Sequence, residues 1–124
     1  MSVIHKFTGD PSNYGWQGVN GMVPSEEGVK NTTLHILLGN DEKDAHFVTR
    51  YFRVEPGGYS PLHQHPHEHE VVILHGKGTV QIGDETTEVN PFDAILISGG
   101  SMHQFKNISD EPLGFLCIIP KLSS

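Results

Sequence analysis

The chain is short of the features that mark several large classes of protein. It has one cysteine, Cys117, in 124 residues. No internal disulfide can form, and a reduced, cytoplasmic protein is expected. Basic residues are also few: 8 Lys and Arg against 15 Asp and Glu leave a net charge of −7 with histidines neutral. That balance argues against nucleic acid as a partner, since such binding needs a basic footprint. No apolar run approaches the length of a membrane span, and the opening "MSVIHKFTGD" shows no basic-then-apolar leader pattern. A membrane partner is therefore not expected. No ten-residue stretch carries a helical period, and there is no internal repeat or low-complexity segment.

Punctuation, by contrast, is plentiful, with 14 Gly and 8 Pro. The first thirty residues read as loop, through "GDPSNYGWQGVNG" and "VPSEEG", with Tyr14 and Trp16 expected to anchor it to the body. From residue 32 the pattern is strand, turn, strand. "TTLHILLG", "AHFVTRYFRV", "EVVILHG", "TVQIG", "TTEV", "DAILIS", "MHQFKN" and "LGFLCII" are short, β-branched or aromatic runs separated by turn residues. The second of these is expected to stop at "EPGG", where Gly57 and Gly58 supply a turn. Many short strands at near-regular spacing predict a single all-β domain, a sandwich or barrel, whose enclosed interior suits a bound ion or ligand.

The conspicuous feature is "HQHPHEHE", residues 63–70, which holds four of the nine histidines. It lies mid-chain, so it is not an affinity tag. Alternate residues of a strand share a face, which puts His63 and His65 together. Pro66 breaks the ladder, and a new strand begins near His69. Three imidazoles then converge from two neighbouring strands, and His103 follows "SGGS" as a fourth. Imidazole is the commonest neutral metal ligand and suits Mn, Fe, Co, Ni, Cu and Zn. Crowding histidines without a metal only makes them repel one another once charged. The other five read differently. His67 falls in the presumed turn and is expected to face solvent, and His75 precedes a hairpin and is expected on the surface. His5, His35 and His46 are isolated, and an isolated histidine is usually structural. Glu70 is sent to the face opposite His69. Arg50 and Arg53 read as a surface pair, with an anionic ligand on either as the alternative. Phe105 and Phe115 read as core, with a place in the cavity wall as the alternative, and Cys117 as a buried structural thiol.

The spacing resembles that of the cupins. Gly57, His63, His65, His69 and Gly76 reproduce the first cupin motif, G-x5-H-x-H-x3,4-E-x6-G, with His69 at the acidic position. Gly100, His103 and Asn107 match the second, G-x5-P-x-G-x2-H-x3-N, with Phe92 in place of its first glycine and Ser98 in place of its proline. "EPGG", "HQHPHEHE" and "FLCIIPK" are similar to segments that recur in small single-domain cupins with four-histidine sites, often holding manganese. The resemblance implies an all-β, single-domain cupin (RmlC-like) double-stranded β-helix, or jelly-roll barrel, over residues 31–124. An N-terminal strand and loop segment, 1–30, would pack on it. It implies one divalent metal ion on His63, His65, His69 and His103, with Mn(II) first and Fe(II), Ni(II) or Zn(II) as alternatives. It also places the Cys117 thiol toward the cavity. Small cupins commonly pair, so a homodimer is expected, with "VIHKF" as a candidate exchange element.

Four neutral imidazoles would leave the ion its full positive charge and, if six-coordinate, two open positions. A tetrahedral zinc held by all four would have none and would be structural. The reading is thus a metal-dependent oxidoreductase of dioxygenase type acting on a small oxygenated molecule. The alternatives are a non-redox isomerase or lyase on a sugar-derived or hydroxy-acid substrate, or a barrel that binds a small ligand without turnover.

Overall fold

The computed structural model describes residues 1–122. It contains nine strands and, among the described residues, no helix. They are β1 (Gly21–Met22), β2 (Lys30–Leu38), β3 (Phe47–Tyr59), β4 (His69–His75), β5 (Gly78–Ile82), β6 (Glu85–Val89), β7 (Ala94–Ile97), β8 (His103–Lys106) and β9 (Leu113–Pro120). Every pairing between them is antiparallel. Hydrogen-bonded neighbours run β6-β5-β8-β3-β9-β4-β7, with β2 on the other edge of β3 and β1 on β2.

β3 holds this curled sheet together. Its first half, Phe47 to Val54, lies between β2 and β9, whereas Tyr59 at its far end pairs with Lys106 of β8. The strand does not stop at "EPGG" as the turn residues suggested. It carries a wide bulge there: β2 pairs Lys30 with Tyr59 and then Thr32 with Val54. Gly57 takes a left-handed φ of 79° and its N–H bonds to the Asn107 carbonyl at 3.1 Å. A bulge of this kind lets one strand turn a corner and serve two layers. The buried Asn107 side chain fixes the same corner, donating to the carbonyls of Val54 and Glu111. The last residue of the second motif is therefore structural.

Strand alternation decides what lies inside. Phe52 and Val54 of β3, Val71 and Ile73 of β4, Phe105 of β8, and Leu113, Phe115 and Cys117 of β9 form the buried core with Val80, Val89 and Ile97. Phe115 stacks between Phe52 and Phe105, at centroid distances of 5.3 and 4.3 Å. Burying each such ring contributes roughly 1.5–3 kcal/mol.

The outer face of β3 is covered by residues from the N-terminal thirty. Tyr14 stacks on Tyr51 at 5.5 Å and Trp16 meets the same ring edge-on at 5.1 Å. His75 is also here rather than on the open surface. Its Nε2 lies 2.5 Å from Tyr51 Oη and its Nδ1 3.1 Å from the Pro112 carbonyl. It belongs under the aromatic cover because β4 alternates, so that odd residues His69 to Ile73 face inward until the register shift between Ile73 and His75.

Candidate metal centre

Chain topology brings three histidines to one end of the interior. His69 opens β4 and His103 opens β8. His63 lies beyond the end of β3, in a single bridge rather than a strand. It exchanges both backbone hydrogen bonds with His103, at 3.0 and 2.8 Å. The loop before β8 makes this approach possible. The Gly100 N–H bonds to the His65 carbonyl at 2.6 Å, and a Cβ on Gly99 would sit 2.1 Å from the Pro66 carbonyl oxygen. Gly99 is thus required by a close approach, more than a plain turn would require.

His63, His69 and His103 are all buried, and each offers a nitrogen within 4.8 Å of the others. His69 Nε2 is buried with no hydrogen-bond partner among the described residues. Its Nδ1 lies 3.4 Å from Cys117 Sγ, and His103 Nδ1 lies 3.1 Å from the Ser101 carbonyl. The Ser101 carbonyl can only accept, so His103 Nδ1 carries the proton and its other nitrogen is left free for a metal. An orphaned buried nitrogen is otherwise costly, so the donor set fits a divalent transition ion. Burial pushes His63 down to about 4, against the neighbouring Glu26 carboxylate. It pushes His69 down to about 3, reinforced by His103 and Arg50. His103 is lowered too, again chiefly by burial. All three are neutral near pH 7, the form that binds metal.

His65 is placed differently. It is half-exposed at the mouth, with its ring 4.9 Å from His63 and 6.0 Å from His69. Its Nε2 faces the Glu26 carboxylate at 3.5 Å, and Glu26, His63 and His65 form a second group of potential ligands. His67 does not point freely to solvent. It is partly buried and stacks on His65 at 4.9 Å. Glu70 is exposed, on the face opposite His69. His5, His35 and His46 lie away from both groups.

Two wall residues carry chemistry that the sequence reading assigned elsewhere or left open. Arg50 is not half of a surface pair. Its parity matches Phe52 and Val54, so it faces the interior, whereas Arg53 faces outward and pairs with Glu55 at 2.7 Å. Arg50 Nη2 donates to Cys117 Sγ at 3.0 Å, its Nε is buried without a partner, and its guanidinium lies 5.1 Å over the Phe52 ring. No carboxylate lies within ion-pair distance of it among the described residues. The signal was available: three residues apart on a strand means opposite faces. Cys117 does face the cavity, and burial raises its thiol pKa against the pull of Arg50. Phe105 and Phe115 serve as core and as cavity wall together. The space enclosed by Arg50, His63, His69, His103, Cys117 and these rings is about 10 Å³, roughly one water.

Comparison with known proteins identifies the family. Residues 50–119 match the family described as Cupin domain. The chain belongs to the cupin family. The fold is that of a single-domain cupin, and the solved cupin-2 barrel protein from Rhodopseudomonas palustris superposes with a TM-score of 0.83 at 29% identity, over 98% of this chain and 83% of that one. A relative named 1-methylthio-D-xylulose 5-phosphate methylsulfurylase, from Rhodospirillum rubrum, is 40% identical over 87% of this chain and 70% of its own length. The polyketide cyclase RemF from Streptomyces resistomycificus is 33% identical with a TM-score of 0.76, over 83% of this chain and 74% of that one. The departure at the second cupin motif leaves a trace in this barrel. Phe92, where the motif has glycine, keeps a left-handed φ of 72° while 81% exposed.

Proposed function

We propose that this cupin is a metal-dependent enzyme whose His63, His69 and His103, with His65 at the mouth, hold one divalent ion. Its substrate is a small oxygenated organic molecule that presents an anionic or enolisable oxygen. The observation that carries the reading is the wall opposite the histidines. Arg50 is a guanidinium without a carboxylate partner, beside nitrogens suited to a cation. Two cationic elements facing one small space favour an anionic oxygen between them. When bound, the ion supplies Lewis acidity and, for manganese or iron, redox capacity.

The chain's own groups do the rest. Arg50 orients the oxygen, and Cys117 holds both Arg50 and His69 in place. Phe52, Phe105 and Phe115 keep bulk water out. The interior space is too small for an organic molecule, so the substrate body docks at the rim beside His65, His67 and Gln64. Relatives named for a methylthio-ketose phosphate and a polyketide support a carbonyl-bearing substrate. A dioxygenase-type oxidoreductase is the second reading, supported by the all-nitrogen donor set, and Mn(II) is the preferred ion with Fe(II), Ni(II) or Zn(II) as alternatives. We propose a homodimer as well, since Ile4, Leu38 and Phe47 expose apolar surface. Light scattering at working concentration tests it.

Metal analysis and EPR on protein purified without added metal or chelator test the main reading. About one manganese or iron per chain is expected, with a signal that shifts when α-hydroxy ketones or hydroxy acids are added. Arg50→Met should keep the metal and weaken that shift about tenfold. O2 consumption with those ligands separates the oxidoreductase from the non-redox enzyme. A closed tetrahedral zinc, or no metal at all, would overturn the proposal.

A further inference from the structure

The first cupin motif ends its ligand set with an acid, and here that position is His69. A carboxylate nevertheless reaches the site, from a different part of the chain. Glu26 lies in the segment before β2, 37 positions upstream of His63. One of its oxygens is 2.5 Å from His63 Nε2 and 3.5 Å from His65 Nε2. The contact to His63 is close but misdirected for a hydrogen bond, and that nitrogen counts as buried and unpartnered. An oxygen this near a donor nitrogen, yet making no hydrogen bond with it, is within reach of an ion held there.

Its placement is built. Pro24, two residues earlier, is buried. Gln104 Nε2 donates to the Gly28 carbonyl at 3.0 Å and to the Ser60 carbonyl at 2.9 Å. One buried amide thus ties the Glu26 segment to β8, which carries His103, and to the chain leading to His63. His63 is common to both ligand groups, the buried one with His69 and His103 and the outer one with His65 and Glu26. An ion held by the first group is within reach of the second.

We infer that Glu26 is a metal ligand of this centre, supplied from outside the barrel and exchangeable because its side chain is 45% exposed. The inference rests on the metal-binding reading proposed above. A carboxylate there lowers the charge that the histidines alone leave on the ion. An anionic substrate can displace it, since it lies at the mouth on a short loop, while the histidines stay fixed by β4 and β8.

Mn(II) and Co(II) binding to the full-length protein, followed by calorimetry, EPR and the Co(II) absorption spectrum, tests this. Glu26→Gln should weaken Mn(II) binding about tenfold or more and alter both spectra. Glu26→Asp should recover part of the affinity. Glu27→Gln removes the same charge from the same loop and should change neither. If Glu26→Gln binds Mn(II) as tightly as the wild type with unaltered spectra, Glu26 is not a ligand. The same follows if Glu27→Gln weakens binding equally, since the effect is then general electrostatics. A wild type that binds no metal overturns the parent reading, and this one with it.

Discussion

β3 has two faces, and each gathers histidines and a tyrosine or arginine around it. Outside, Tyr51 meets His75 and His35 beneath Tyr14 and Trp16. Inside, Arg50 faces His63, His69 and His103. The two groups are similar in composition and opposite in satisfaction. Both nitrogens of His75 have partners, Tyr51 Oη and the Pro112 carbonyl. His69 Nε2 has none, and Arg50 Nε has none. His35 Nδ1 is also unpartnered, but no second ligand type stands with it. A buried histidine signals a site when its free nitrogen converges with others, not simply when it is buried.

The largest effect should come from the inner group. His69→Ala or His103→Ala should cut metal affinity by about a hundredfold or more, read by metal content after dialysis. His75→Ala should leave metal content unchanged. Loss of metal in His75→Ala would erase the distinction between the faces.

Proton linkage should separate them next. Well above pH 6.5, by about a unit or more, the inner histidines are neutral whether folded or not, and contribute no pH dependence. As pH falls below that, the unfolded chain takes up protons, while His63 resists to about 4 and His69 to about 3. Metal-free protein should therefore lose stability between pH 6.5 and those values, at up to about 1.4 kcal/mol per pH unit per histidine. Urea melts across that range check it, and a flat profile would mean the site takes up protons without resistance.

The outer group should show its role through stability alone. Tyr51→Phe strands His75 Nε2 and should cost about 1–3 kcal/mol with metal affinity intact. The smallest effect lies away from both faces. Phe92→Gly relieves a left-handed backbone at an exposed position and should raise stability by about 1 kcal/mol, visible as a higher Tm with unchanged metal binding.

Much of this was legible in the sequence, because strand parity and ligand spacing are short-range. The strand runs follow from β-branched alternation, but parity grouped His63, His65 and His69 with His103 as a fourth, whereas the structure buries His63, His69 and His103 together and leaves His65 at the mouth. "EPGG" misled as a stop because glycine reads alike in a turn and in a bulge. The difference depends on Asn107, fifty residues on, accepting the Gly57 N–H through its carbonyl. His75 was placed on the surface because nothing local announces the cover of Tyr14 and Trp16. Arg50 was read as surface in preference to an anion-holding group, although its parity with Phe52 was there to be counted.

By itself the sequence determined the all-β class, most of the strand runs and the close spacing of His63, His65 and His69. Those depend on periods of two and on gaps of a few residues, which the backbone translates directly into position. The tertiary structure decided which imidazoles keep an open nitrogen, that a guanidinium faces them, and that Glu26 reaches them from outside the barrel. Such contacts depend on how β3 bends at its bulge and on what the N-terminal segment covers, and no local spacing encodes a meeting between residues that far apart.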